Sequence, residues 1–218
     1  MSATRVVFIH GLWMPGGESV GFRRALAAEL GPQAQIDVFK WRTVTEPIAE
    51  VIDRLQSLVS DSRPERLHLV GHSLGGLVTL RFFEQRPKQP PGAVVLLGTP
   101  TCGSQAARAF GRLALGRRLL GAYAVEELLQ EPRPRRWLLA DRPLGVIAGT
   151  LPIGLGRLFV HFKEPNDGTV AVRETELEGA ADCITMPVNH LGMLLSRQVV
   201  RQTAYFLTHG RFARKLTG

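Results

Sequence analysis

The sequence predicts an α/β fold, a mostly parallel sheet covered by helices on both faces. Strand-like and helix-like segments alternate along most of the 218 residues. Val6–Ile9 and Val94–Leu97 are unbroken apolar runs, the pattern of strands buried on both sides. No internal repeat or low-complexity tract interrupts the alternation.

Each element has its own signal. Arg5–Ile9 is short, apolar and β-branched. Glu18–Leu30 has helical periodicity through Val20, Phe22, Leu26 and Leu30, and Gly31-Pro32 stops it. Gln35–Phe39 reads as a strand. Pro47–Val59 reads as a helix with Ile48, Val51, Ile52, Leu55, Leu58 and Val59 on one face. Arg66–Val70 is a strand and Leu74–Gln85 a helix ending before Pro87. Ala93–Leu97, Leu144–Ala148 and Asp182–Pro187 are further strands, and Ser196–His209 is the last helix.

Gln105–Leu139 breaks the alternation. It holds two helix-like patterns, Ala106–Leu115 and Arg118–Leu129, with no strand between them, followed by Pro132 and Pro134. Two readings are open: a fixed pair of peripheral helices, or a small mobile lid with apolar side chains facing an acyl chain. Arg108, Arg112, Arg117 and Arg118 lie on or near its other faces. As a lid it would permit transient contact with a lipid surface.

Composition bounds the function. One domain over residues 1–218 fits the length, with residues 105–139 inserted in it. The net charge is +8, but only four of the 27 cationic residues are Lys. No aromatic–basic interleaving or helix-turn-helix pattern accompanies the charge, so nucleic acid is not an expected partner. No apolar run reaches the roughly 18 residues of a membrane span. Met1–Arg5 leads straight into a strand pattern without the features of a secretory leader, so a cytoplasmic location is expected. Cys102 and Cys183 are the only cysteines, and no Cys-x-x-Cys is present. No metal or cofactor is expected.

The chemistry centres on Gly71-His72-Ser73-Leu74-Gly75, a Gly-x-Ser-x-Gly sequence between a strand and a helix. A sharp strand-to-helix turn would lift the Ser73 hydroxyl clear of the sheet. The plainer alternative is a helix N-cap, for which flanking glycines are a poor choice. A serine nucleophile needs a neutral imidazole and a group that orients it. His190 follows the last strand by a short loop, at the end of the sheet where open α/β folds assemble sites. His68 lies within a strand, His161 within an apolar stretch and His209 near the C-terminus. His10 follows the first strand directly. His72, beside the nucleophile, is expected to support the structure.

Asp167, in the turn Asn166-Asp167-Gly168, is the preferred acid; Glu164 is its rival and Asp141 precedes its strand. An oxyanion needs two N–H donors. Leu74 follows the nucleophile, and Leu12 lies in the glycine-containing loop after the first strand. Leu151, Ile153, Leu155, Leu158, Phe159 and Phe162 precede the acid turn, as core residues or as the wall of an apolar acyl site.

Together the loop His10-Gly11-Leu12, the elbow Gly71–Gly76, Gly98-Thr99-Pro100, Asn166-Asp167-Gly168 and Asn189-His190 resemble the α/β-hydrolase superfamily, in particular bacterial lipases and esterases. The chain order Ser73, Asp167, His190 is the one expected of it. The resemblance implies an α/β-hydrolase fold with a catalytic triad and a variable lid. The short chain places the sheet nearer six strands than the usual eight. The leading reading is a serine hydrolase acting on a small-molecule carboxylic ester, whose acyl group the apolar residues before the acid turn suggest is apolar. The alternatives are a thioesterase or acyltransferase with the same triad, or a non-catalytic ligand-binding module.

Overall fold

A computed structural model describes residues 4–129 and 135–214. Pro132 and Pro134 of the inserted segment, and the Met1–Ala3 start, lie outside the described residues. In chain order the elements are β1 (Thr4–Ile9), α1 (Val20–Leu30), β2 (Ala34–Phe39), α2 (Ile48–Ser62), β3 (Arg66–His72), α3 (Leu74–Gln85) and β4 (Val94–Leu97). Three short helices follow: α4 (Gln105–Phe110), α5 (Gly116–Leu120) and α6 (Ala122–Leu128). Then come β5 (Arg135–Arg136), β6 (Leu144–Gly149), β7 (Leu177–Glu178), β8 (Asp182–Met186) and α7 (Arg197–His209).

Six strands form the main sheet in the order β2-β1-β3-β4-β6-β8, and every pairing is parallel. Alternation of side chains along each strand divides the core. Val7, Ile9, Leu67, Leu69, Val94 and Leu96 face α2 and α3. Val6, Phe8, Val70, Val95 and Leu97 face α1 and α7. Both layers exclude water from the sheet, which explains the unbroken apolar runs. The chain leaves β1 toward the β2 edge, then returns to lay β3 on the other side of β1. The loops after β1 and β3 therefore diverge at a topological switch point, where a crevice opens.

The stretch 105–139 departs from expectation. Its two helical patterns are three short helices, because Gly111 ends α4 and Gly121, at φ 84°, ends α5. The segment also contains a strand: β5 pairs in parallel with β7 in a separate two-stranded sheet. Cys102 and Cys183 are free thiols. Among the described residues no helix is long and apolar enough to cross a membrane.

Candidate active site

Ser73 is the single residue between β3 and α3, at φ 53° and ψ −125°. A non-glycine residue there carries backbone strain on the order of 1–3 kcal/mol. Neighbouring hydrogen bonds hold it: Ser73 N–H donates to the Leu97 carbonyl at 2.9 Å, and Gly76 N–H donates to the Ser73 carbonyl at 2.9 Å. The turn is tight enough that a Cβ on Gly71 would lie 2.4 Å from the Gly76 Cα. The Ser73 side chain makes no capping hydrogen bond to α3. It lines a cavity of about 530 Å³ instead.

Asp167 and His190 stand at the ends of the loops that follow β6 and β8. The carboxylate of Asp167 is buried, at 1% exposure. Its Oδ1 accepts from the N–H groups of Thr169 (2.9 Å) and Val170 (2.7 Å), and its Oδ2 lies 2.6 Å from His190 Nδ1. His190 N–H also donates to the Asp167 carbonyl at 2.9 Å, so backbone and side chain fix the pair together. Gly98, after β4, makes room for it. A Cβ there would lie 3.1 Å from both Asp167 Oδ2 and His190 Nδ1, and its φ of +54° disfavours other residues. His190 lines the same cavity as Ser73. An imidazole held through Nδ1 in this way keeps Nε2 as its proton acceptor.

Glu164 is engaged elsewhere. Its Oε1 accepts from Gln105 Nε2 at 3.0 Å and its Oε2 pairs with Arg173 at 3.4 Å. Asp141 lies before β6. Leu12 and Leu74 both line the cavity. Leu74 opens α3, so its N–H belongs to the first turn, which has no intrahelical acceptor. The loop that carries Leu12 runs against the elbow: a Cβ on Gly11 would be 2.9 Å from that of Ser73.

The other histidines are structural or peripheral. His10 is buried between its own loop and Trp41: Trp41 N–H donates to Nε2 at 3.3 Å and Nδ1 donates to the Gly11 carbonyl at 3.1 Å. Burial lowers its pKa. His72 is fully enclosed, and burial, with the nearby His190 ring, brings its pKa down to about 3. His68 packs inside the sheet with Nδ1 accepting from Ala93 N–H, and burial brings its pKa to about 4. His161 and His209 are exposed.

The apolar run before the acid turn is not core. Ile153, Leu155, Leu158 and Phe159 line the cavity and are 38–75% exposed. Ala106, Ala107 and Phe110 of α4 line it too, with Leu120 and Leu128. Trp13 has no marker in the sequence that would single it out. It lies at φ 59°, beside Leu12. Its N–H donates to Thr43 Oγ1 at 3.1 Å and its indole N–H to the Leu119 carbonyl of α5 at 2.9 Å. The indole is edge-on to Phe110, whose ring in turn meets Phe159.

Residues 6–184 match the model of the Alpha/beta hydrolase family. The match ends just before the loop that carries His190. A stretch of 63 residues is 33% identical to the putative carbamate hydrolase RutD of Yersinia enterocolitica, covering 29% of this chain and 23% of that protein. This chain thus spans about a quarter of the curated relative it matches. The mature Bacillus licheniformis lipase BlEst2 superposes with a TM-score of 0.65 at 19% identity, over 96% of this chain and 92% of that one. The Bacillus subtilis carboxylesterase CesB (YbfK) superposes with a TM-score of 0.57 at 14% identity, over 95% and 84% of the two chains. At such identities the likeness is one of fold.

Proposed function

The chain belongs to the alpha/beta hydrolase family, and we propose that it is a serine hydrolase that cleaves carboxylic esters with apolar acyl groups. The observation that carries this reading is the buried 2.6 Å Asp167–His190 contact on the wall of the cavity that Ser73 also lines. In the proposed cycle Ser73 Oγ attacks the acyl carbon while His190 Nε2 takes its proton. Asp167 holds the Nδ1–H tautomer and stabilises the imidazolium. The N–H groups of Leu74 and Leu12 hold the oxyanion. The imidazolium then gives its proton to the departing alkoxide, leaving an acyl-Ser73 ester. His190 next deprotonates a water, which attacks that ester, and the imidazolium returns this proton to the departing Ser73 Oγ, releasing the acid and free Ser73.

The cavity wall supports the apolar acyl group. Each methylene it buries contributes about 0.8 kcal/mol. If that contribution is realised in the transition state, kcat/KM rises about fourfold per carbon along a series of short p-nitrophenyl esters. A fluorophosphonate should label the wild-type protein at Ser73 and leave folded Ser73→Ala unlabelled, with its ester turnover lost. Labelling elsewhere, or turnover near wild type in Ser73→Ala, would overturn the serine assignment. Faster cleavage of thioesters than of oxygen esters with the same acyl groups would overturn the ester assignment.

A further inference from the structure

Two loops adjoining the cavity lining expose large apolar side chains. In the turn between α4 and α5, Leu113 and Leu115 are 51% and 61% exposed. After β6, Leu155 and Leu158 are 63% and 75% exposed. The loops belong to one face: Phe110 and Leu120, which flank the first, line the same cavity as the second, and α4 touches the Leu155–Leu158 turn. Isolated exposed leucines are ordinary, but a contiguous group around a crevice marks a binding face.

The charge of this face is one-sided. Residues 105–125 contain four arginines and no acidic residue, and residues 150–163 contain Arg157 and Lys163 and no acidic residue. Arg112, Arg117 and Arg118 are exposed and form no ion pair among the described residues. We propose that this rim docks on anionic phospholipid bilayers and holds the cavity mouth against the membrane surface. The leucines would enter the headgroup–acyl boundary, while the arginines rest their stems on it and meet lipid phosphates. The purely positive charge of these two stretches favours an anionic surface over a protein partner of mixed sign. The proposal does not depend on which bond the site cleaves.

Vesicle sedimentation with the full-length Ser73→Ala protein tests it without turnover of the lipid. Binding should be strong to phosphatidylcholine vesicles containing phosphatidylglycerol, weak to phosphatidylcholine alone, and should fall as salt rises. An arginine near an anionic surface strengthens partitioning about fivefold. Replacing Arg112, Arg117 and Arg118 together by Ser should therefore weaken binding on the order of 100-fold. Leu113→Asp and Leu115→Asp should each weaken it about tenfold. With Ser73 intact, these variants should hydrolyse a short soluble ester at the wild-type rate, which also reports that they fold. The single change Arg117→Ser provides the milder arm. Equal binding to both vesicle types, or unchanged binding by the triple variant, would overturn the proposal. So would a solution dimer that Leu115→Asp dissociates, since the face would then meet a second copy.

Discussion

The imidazole of His72 donates from Nε2 to the main-chain carbonyl of His190, 3.0 Å away, tying together residues 118 positions apart. A carbonyl accepts only, so Nε2 carries the proton. His72 Nδ1 then holds a lone pair that is buried without a hydrogen-bond partner among the described residues. The ring is neutral, in keeping with its pKa of about 3. His72 thus fixes the His190 loop from beneath, while Asp167 fixes the ring.

Replacing His72 by Phe should keep the packing and leave the His190 carbonyl buried without a donor. Such a loss costs about 1–3 kcal/mol. Part of it should appear as lower thermal stability. The rest, if about half, should appear as roughly two- to tenfold slower fluorophosphonate labelling of Ser73, as the imidazole loses its position. A variant that labels at the wild-type rate would reduce His72 to a packing residue.

Asp167→Asn should leave the fold intact. Its Oδ1 can keep accepting from Thr169 and Val170, which turns the amide NH₂ toward His190 Nδ1. The amide donates where the carboxylate accepted, so His190 is driven to the wrong tautomer. In the serine-protease triad the equivalent change lowers kcat about 10⁴-fold. Glu164→Gln changes a group engaged with Gln105 and Arg173, and its kcat should stay within a few-fold of wild type. Steady-state kinetics on one soluble ester ranks the two; the reverse order would move the acid to Glu164.

Much of this arrangement was legible in the sequence for physical reasons that can be named. The strand before Ser73 and the helix after it have strong, different periods, and the helix bounds, Leu74–Gln85, are those expected. His190 and Asp167 were legible because parallel strands in an open sheet deliver their following loops to one end. The division of residues 105–128 into three helices was not legible because the amphipathic spacing runs on through Gly111 and Gly121, which end helices without interrupting the apolar pattern. Leu155 and Leu158 were ambiguous because periodicity reports apolar character and not whether the apolar neighbour is core or cavity. Nothing in a sequence marks a tryptophan at positive φ, so the role of Trp13 is visible only in the folded chain.

Trp13 links the Leu12 loop to α5 through one indole hydrogen bond, to the Leu119 carbonyl. Trp13→Phe keeps an aromatic ring beside Phe110 and removes that bond, a change worth about 0.5–1.5 kcal/mol. The bond holds α5, so Trp13→Phe should speed limited proteolysis at Arg117-Arg118 about two- to tenfold. Turnover of a short ester should change less than turnover of a long-chain one, because Phe110 and Leu120 line the cavity on that side. Unchanged proteolysis would show that α5 is held by its apolar packing alone.

Buried His68 and His72 should lower stability in acid. His68 and His72 have native pKa values lowered to about 4 and about 3, chiefly by burial, against 6.5 for the unperturbed side chain. A lowered pKa means that the unfolded chain binds these protons first. Above pH 6.5 both states are neutral at these two sites and the full stability is present. As pH falls below 6.5, each histidine removes about 1.4 kcal/mol per pH unit. The loss levels off below about pH 4 for His68 and about pH 3 for His72. Most carboxylates titrate below about pH 5; burial raises the pKa of the Glu174 carboxyl, which opposes the loss, and lowers that of His10, which adds to it. Urea unfolding should show stability falling by roughly 3 kcal/mol per pH unit in the lower part of the interval from about pH 7 to pH 5, if His68 and His72 dominate. His68→Asn, whose side-chain oxygen can still accept from Ala93 N–H, should lower the slope by about 1.4 kcal/mol per pH unit. A stability constant from pH 7 to pH 5 would mean that these rings take up protons in the native state, and the neutral, buried roles of His68 and His72 would be wrong.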